Sequence, residues 1–240
     1  MSDTPVAGPI QYRYTFRFAD GSEKRFEVSL DPATLALIPP ADPFRPEWTK
    51  LGYHQCEQCP LNEQAAHCPV AVNLAGLVEC FKDTLSHEDI AVTVETAQRT
   101  YSKRTSLQQG LSSIIGIYMV TSDCPVMDKL RPNARFHLPF ASAEETMYRA
   151  VSMYLTAQYF RMKRGEAPDW TLEHLSEIYQ GVWRVNKGMA ARLSHASAQD
   201  ANVNAVIVLS TFGSTLDAYL EECLAEIAPL FASTPKPDKR

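Results

Sequence analysis

The chain has 240 residues, of which 45% are hydrophobic and 21% are charged. These proportions are typical of a globular protein with a substantial core, and they exclude a wholly disordered chain. The formal net charge is −5, so the sequence lacks the strongly basic character of a general nucleic-acid binder. No run of about 18 apolar residues suggests a membrane span, and the N-terminus has no basic and apolar signal segment. We therefore expect a location in a bacterial-type cytoplasm, with neither nucleic acid nor membrane as a partner.

The clearest β pattern lies near the N-terminus. Aromatic and polar residues alternate over residues 10–18, and the alternation resumes over residues 26–30 after the pair Asp20-Gly21. Such alternation on both sides of an Asp-Gly pair predicts a β-hairpin with one buried face. Five prolines follow within residues 31–50, where we expect an extended strap with little regular structure.

The second half of the sequence has helical periodicity. Ser142, with Glu145 three residues later, matches a capping box, and apolar residues at spacings of three and four follow it. Similar stripes predict further helices from about residue 169 and from about residue 199, and shorter helices at residues 73–84 and 106–120. Residues 90–101 begin as a strand. The fold class is therefore α+β, with an N-terminal antiparallel β-hairpin, a cysteine-rich middle segment and a C-terminal helical bundle.

These patterns divide the chain into four regions. Residues 1–50 hold the hairpin and the proline-rich strap, and residues 51–141 form a cysteine-rich region that we expect to bind metal. Residues 142–232 form the helical bundle. Residues 233–240 are polar and are expected to be disordered.

The six cysteines are the most informative residues. Because thiols stay reduced in the cytoplasm, we expect them to be free, metal-bound or redox-active rather than paired in disulfides. Cys56 and Cys59 form a C-x2-C motif, which lets two thiolates converge on one ion. Cys68 follows after eight further residues, and Cys124 lies in a separate segment. The simplest closed metal site is formed by Cys56, Cys59, Cys68 and Cys124.

Three of these cysteines, Cys59, Cys68 and Cys124, directly precede proline. Proline is favoured at the first position of a helix, so each cysteine is expected to occupy or adjoin a helix N-cap. Backbone N–H groups at a helix start stabilise a thiolate and donate to metal-bound sulfur. If Cys124 does not reach the other three, His54 and His67 are the alternative ligands.

The remaining two cysteines, Cys80 and Cys223, lie within predicted helices on apolar stripes. Buried free cysteines often act as small hydrophobic residues. We expect both to be buried in the core and away from the metal site.

The identity of the metal is open at this point. Zinc is favoured because it suits four thiolates, and a [4Fe-4S] cluster is the alternative. The Cys-Pro pairs resemble the ligands of bacterial ferredoxins, although the spacing C-x2-C-x8-C differs from the ferredoxin spacing. The third possibility is a set of unligated thiols that includes a redox-active pair at Cys56 and Cys59.

A second candidate site involves residues 129–140, which are basic, aromatic and interrupted by prolines. Functional residues often occupy such irregular segments, so Arg135, His137 and Arg149 are candidate contacts for a substrate or cofactor. The alternative, which we favour, is a strap over the helical half in which His137 is hydrogen-bonded and three apolar side chains are buried: Phe136, Leu138 and Phe140.

Three functions follow from these residues. The leading one is a metal-binding regulatory or sensory protein with its site in the cysteine cluster. The second is an iron–sulfur or thiol-dependent enzyme with a substrate pocket near Arg135 and His137. The third is a helical interaction module with a purely structural metal. The sequence does not identify a protein partner or a small ligand.

Overall fold

The computed structural model describes residues 8–62 and 64–232, with no side chains described for residues 212–219. The predicted disordered tail at residues 233–240 lies outside these ranges. The strands are β1 (Ile10–Arg17), β2 (Glu23–Leu30), β3 (Asp89–Glu95) and β4 (Thr100–Ser106). The helices are α1 (Pro69–Phe81), α2 (Leu107–Val120), α3 (Pro132–Arg135), α4 (Ala143–Lys163), α5 (Glu173–Ala196) and α6 (Ala201–Ile227). The predicted α+β class is confirmed.

The four strands form one antiparallel sheet in the order β2-β1-β3-β4. The predicted N-terminal hairpin is confirmed, and Tyr14 of β1 lies opposite Phe26 of β2 and Val94 of β3. β3 and β4 form a second hairpin, although only a single strand start was predicted over residues 90–101. β4 has no fully buried residue, so its sequence lacks the apolar alternation of a half-buried strand.

One face of the sheet forms a large part of the core. The sheet and α2 approach closely at Gly110, where an added Cβ would lie 2.9 Å from Val92 and 3.0 Å from Ile90. Glycine therefore allows α2 to lie against β3. The buried side chains of the sheet face are Tyr12, Tyr14, Phe16, Val28, Leu30, Ile90, Val92 and Val94.

Two helices, α1 and α4, begin at the capping residues that the sequence predicts. Cys68 is the N-cap of α1 and Pro69 its first residue, as predicted for a Cys-Pro pair, so the helix begins four residues earlier than expected. At α4 the predicted capping box is present. The Glu145 N–H donates to Ser142 Oγ over 3.1 Å, and the Ser142 N–H donates to Glu145 Oε2 over 2.7 Å.

Helix α2 packs against both the sheet and α6, and α6 packs along α5. A short 3-10 helix, Met127–Leu130, follows α2 and contacts both α2 and α5. Helix α5 also contacts a 3-10 turn at Glu47–Thr49, close to the cysteine-rich segment. None of the helices in the described ranges is long and apolar enough to cross a membrane.

Candidate metal centre

The four cysteines predicted as metal ligands lie together, although they come from three separate segments. Cys56 and Cys59 belong to residues 52–66, which we call the cysteine loop, whereas Cys68 precedes α1 and Cys124 follows α2. All four line the same small cavity. The other walls are mostly apolar, from Leu51, Leu61, Val70, Val185 and Met189.

The chain on either side of the cysteine loop is held by backbone pairing. The Leu51 N–H donates to Ala66 O over 3.1 Å, and the Cys68 N–H donates to Thr49 O over 2.8 Å. Within the loop, the Cys59 N–H donates to Cys56 O over 3.2 Å. This tight turn places the thiols of the C-x2-C motif on the same cavity.

Burial and the neighbouring thiols both affect the electrostatics of the cysteines. Burial raises the pKa of Cys56 to about 12, with additional contributions from the neighbouring Cys59, Cys68 and Cys124 thiols. Burial also raises the pKa of Cys124, whereas the backbone N–H groups of Met127 and Val126, which hydrogen-bond to its sulfur, lower it. Such N–H donors are the groups that stabilise a thiolate or a metal-bound sulfur.

A buried arginine lies beside the thiols. Arg192 of α5 is 2% exposed and lines the same cavity. Its guanidinium donates to the carbonyl oxygens of Trp48, Lys50 and Leu51 over 2.7–2.8 Å. No carboxylate in the described ranges forms an ion pair with it, and burial lowers its pKa while the nearby cysteine thiols raise it. The thiols of Cys68, Cys56 and Cys59 are among the groups beside Arg192 that can carry a compensating negative charge.

Helix α5 also touches the cysteine loop directly. A Cβ added at Gly188 would lie 2.6 Å from the Cβ of Cys56 and 2.9 Å from its Cα. Only glycine fits at this position with Cys56 where it is, so the absence of a side chain at residue 188 sets how closely the loop approaches α5.

The two histidines considered as alternative ligands make other contacts. His67 Nδ1 is 2.8 Å from Thr49 Oγ1, and the ring of His54 stacks on that of His195 with 4.3 Å between centroids. Neither lines the cavity, whereas Cys124 does. As the side chains are placed, no group of three or more His, Cys, Asp or Glu among the described residues could hold a metal ion. The four thiols line a shared space rather than meeting at one point.

The two cysteines excluded from the site lie away from this cavity. The prediction that Cys80 is buried is wrong, because residue 80 is exposed and lies outside the buried stripe of α1, which includes Leu77 and Phe81. Cys223 is half-buried and packs against the core.

The second candidate site divides into two parts. His137 and Arg149 line a cavity of about 680 Å³ between β4, α2, α4, α5 and α6, whereas Arg135 is exposed and lies outside the lining. The predicted burial of Phe136 is also wrong, since this side chain is 77% exposed. The predicted hydrogen bond of His137 is present, to Tyr14 Oη over 2.6 Å. Residues 129–140 therefore contribute only some of their side chains to the cavity.

Two buried polar residues of α5 were not predicted from the sequence. Asn186 and Arg192 are each 2% exposed and follow the apolar stripe that includes Val182, Val185 and Met189. A polar residue at a core position of an amphipathic helix is unusual unless it has a buried partner. That mismatch is the sequence signal that could have identified both residues.

The fold and the site together define an α+β protein with four cysteines around one buried cavity and a second, larger cavity beside it. Residues 10–232 match the model of a family described as "Domain of unknown function (DUF6901)", and the chain belongs to that family. No curated protein and no solved structure matches the chain significantly.

The contact between Gly188 and Cys56 gives a first prediction. Gly188→Ala should lower the free energy of unfolding by about 1–3 kcal/mol, because the new methyl group overpacks the cysteine loop. Gly76→Ala is the matched control, since a Cβ at this helical glycine has no atom within 4 Å. Alanine there should be neutral or stabilising by up to about 1 kcal/mol. Urea denaturation of both variants measures the difference, and equal stabilities would contradict the close packing.

The half-buried imidazole of His137 gives a second prediction. Burial, with a smaller contribution from the positive charge of Arg149, lowers the pKa of His137 to about 3. An unfolded chain takes up this proton near pH 6.5, so the free energy of unfolding should fall as the pH is lowered from about 6.5 towards 3. His137→Gln should reduce that fall.

Urea denaturation at pH 7 and pH 4.5 tests this prediction, with His174→Gln as the matched control because His174 is an exposed histidine. The control should keep the pH dependence of the unchanged protein. If His137→Gln shows the same fall in stability as the unchanged protein, His137 does not remain neutral in the folded state.

Proposed function

We propose that the chain is a metal-binding regulatory or sensory protein in which Cys56, Cys59, Cys68 and Cys124 hold a metal, with zinc favoured and a [4Fe-4S] cluster as the alternative. The observation that carries the proposal is the convergence of these four cysteines, from three separate segments, on one buried cavity. Thiolates in such a set are the usual ligands of zinc and of iron–sulfur clusters.

The charge around the cavity supports bound thiolates rather than four free thiols. A buried guanidinium without a carboxylate partner is unfavourable unless a negative charge lies nearby. Four thiolates around zinc or around a cubane cluster carry a net negative charge, which Arg192 would partly balance. The N–H groups that point at the sulfur of Cys124 stabilise the same charged form.

The size of the cavity supports a single ion rather than a cluster. The space between the thiols has a volume of about 10 Å³, which is about the volume that one water molecule needs. A zinc ion would draw the four sulfurs to about 2.3 Å from one point. A cluster of four iron and four sulfide atoms is larger than this space, so the thiols would have to move apart to hold it.

A regulatory role is supported by the position of the centre. It would connect the cysteine loop, the start of α1 and the segment after α2, with α5 packed against all three. Loss of the metal would release these segments from one another, and the packing of α5 would change with them. Thiolate ligands also need a reducing compartment, which fits the predicted cytoplasmic location.

Metal analysis tests the proposal. Purified protein should be colourless and contain about one zinc ion per chain. Serine variants of Cys56, Cys59, Cys68 or Cys124 should lose most of this zinc. Cys80→Ser and Cys223→Ser are the matched controls and should retain it. A brown protein with iron and acid-labile sulfide would replace the single ion by a cluster, and a metal-free protein with four reactive thiols would overturn both.

Hydrogen exchange tests whether the centre organises the fold. Binding energy at a metal site formed by separate segments is partly folding energy. Removing the metal should therefore reduce amide protection over residues 50–70 and 120–140, whereas α4 and α6 should stay protected by their own apolar packing. Equal protection with and without metal would make the site peripheral. Loss of protection throughout the chain would show that the helical half depends on the metal.

A further inference from the structure

The geometry points to a second binding site, which does not depend on the metal centre. We propose that the cavity of about 680 Å³ binds a small organic anion that carries a carboxylate or phosphate group at one end and a hydrogen-bond donor at the other. Its volume lies within the range of about 300–1,000 Å³ that is typical of small-molecule sites. The anionic group would contact Arg149, and the donor would contact Asn186.

Arg149 supplies the positive charge. Its side chain lines the cavity and is half-buried, and one terminal nitrogen donates to the carbonyl oxygens of Asn133 and Phe136 over 3.3 and 3.1 Å. These two bonds fix the guanidinium against the chain that precedes α4. No carboxylate among the described side chains lies within 4 Å of it. Its other N–H groups are free to bind an oxyanion, which arginine can hold through two parallel hydrogen bonds.

Asn186 supplies the second, independent observation. It is 2% exposed and lines the cavity, and its Oδ1 has no hydrogen-bond partner among the described residues. A buried carbonyl oxygen without a donor costs about 1–3 kcal/mol, so natural proteins rarely keep one. A ligand with an N–H or O–H group at this point would remove the cost.

The remaining walls define the body of the ligand. Met127, Leu130, Val182 and Phe140 give an apolar lining between the two polar ends. At one wall, Tyr14 Oη is hydrogen-bonded to both Ser113 and His137. The distances are 3.0 Å to Ser113 Oγ and 2.6 Å to His137 Nε2. These polar atoms already have partners. Lys103 and Glu145 also line the cavity and carry opposite charges, so the net positive charge of the lining corresponds to Arg149, and the specificity for a donor rests on Asn186.

A matched set of aromatic probes tests the proposal. 4-Hydroxyphenylacetate carries a carboxylate and a donor, phenylacetate lacks the donor, and 4-hydroxyphenylacetamide lacks the charge. 4-Aminophenyl phosphate replaces the carboxylate by phosphate. We expect the hydroxy acid or the aminophenyl phosphate to bind in isothermal titration calorimetry. The same probe should bind about 10- to 100-fold more tightly than the neutral amide, as a hydrogen bond to a charged group predicts.

Three variants separate the two contacts. Arg149→Gln should abolish the preference for the charged probes, and Arg149→Lys should keep part of it. Asn186→Leu, which keeps the side-chain volume, should remove the difference between 4-hydroxyphenylacetate and phenylacetate. Arg161→Gln, an exposed arginine of the same helix, is the control and should bind like the unchanged protein.

The outcomes are decisive in both directions. Binding that follows this pattern supports the site, and the tighter of the carboxylate and phosphate probes identifies the acid group. If no charged probe binds more tightly than the amide, or if folded Arg149→Lys and Asn186→Leu proteins bind exactly as the unchanged protein does, the proposal is overturned. Binding of the probes does not depend on the metal content of the protein. Failure of the metal centre and failure of this site are therefore distinguishable.

Discussion

The buried guanidinium of Arg192 is the interaction on which much of the arrangement around the cysteines depends. It donates three hydrogen bonds to the backbone just before the cysteine loop, at the carbonyl oxygens of Trp48, Lys50 and Leu51. These bonds hold the entry to the cysteine loop against α5. A buried cation is stable only when its hydrogen bonds are satisfied and a compensating charge lies near it. The carbonyl oxygens provide the hydrogen bonds, and the adjacent thiols, once deprotonated, would provide the compensating charge.

Helix α5 connects the two candidate sites. Within three turns it presents Val182 and Asn186 to the larger cavity and then Gly188 and Arg192 to the cysteines. The segment after α2 has the same double role, since Cys124 lines the small cavity and Met127 the large one. A change in either site therefore acts on elements that the other site shares. If both proposals hold, this shared wall is the route by which ligand binding and the state of the metal could affect each other.

The same arrangement explains why the chain keeps several locally unfavourable choices. Asn186 and Arg192 interrupt an apolar stripe, and Gly188 lowers the helix propensity of α5. Each has a local reason in the tertiary structure: the cavity for Asn186, the loop carbonyls for Arg192 and the backbone of Cys56 for Gly188. Deviations from the pattern of an ideal amphipathic helix are expected where a protein places a functional site.

The sequence by itself determined the features that depend on local pattern. The Asp-Gly hairpin, the capping box at Ser142, the Cys68-Pro69 helix start and the choice of four cysteines all follow from spacing and residue type. Only the tertiary structure decided which distant groups meet. It paired the polar edge strand β4 with β3, separated Arg135 from His137, exposed Cys80, and brought Arg192 and Gly188 to the cysteine loop. The hydrogen bond between Arg192 and Trp48, for example, joins residues more than 100 positions apart in the chain. No local periodicity encodes a partner at that separation.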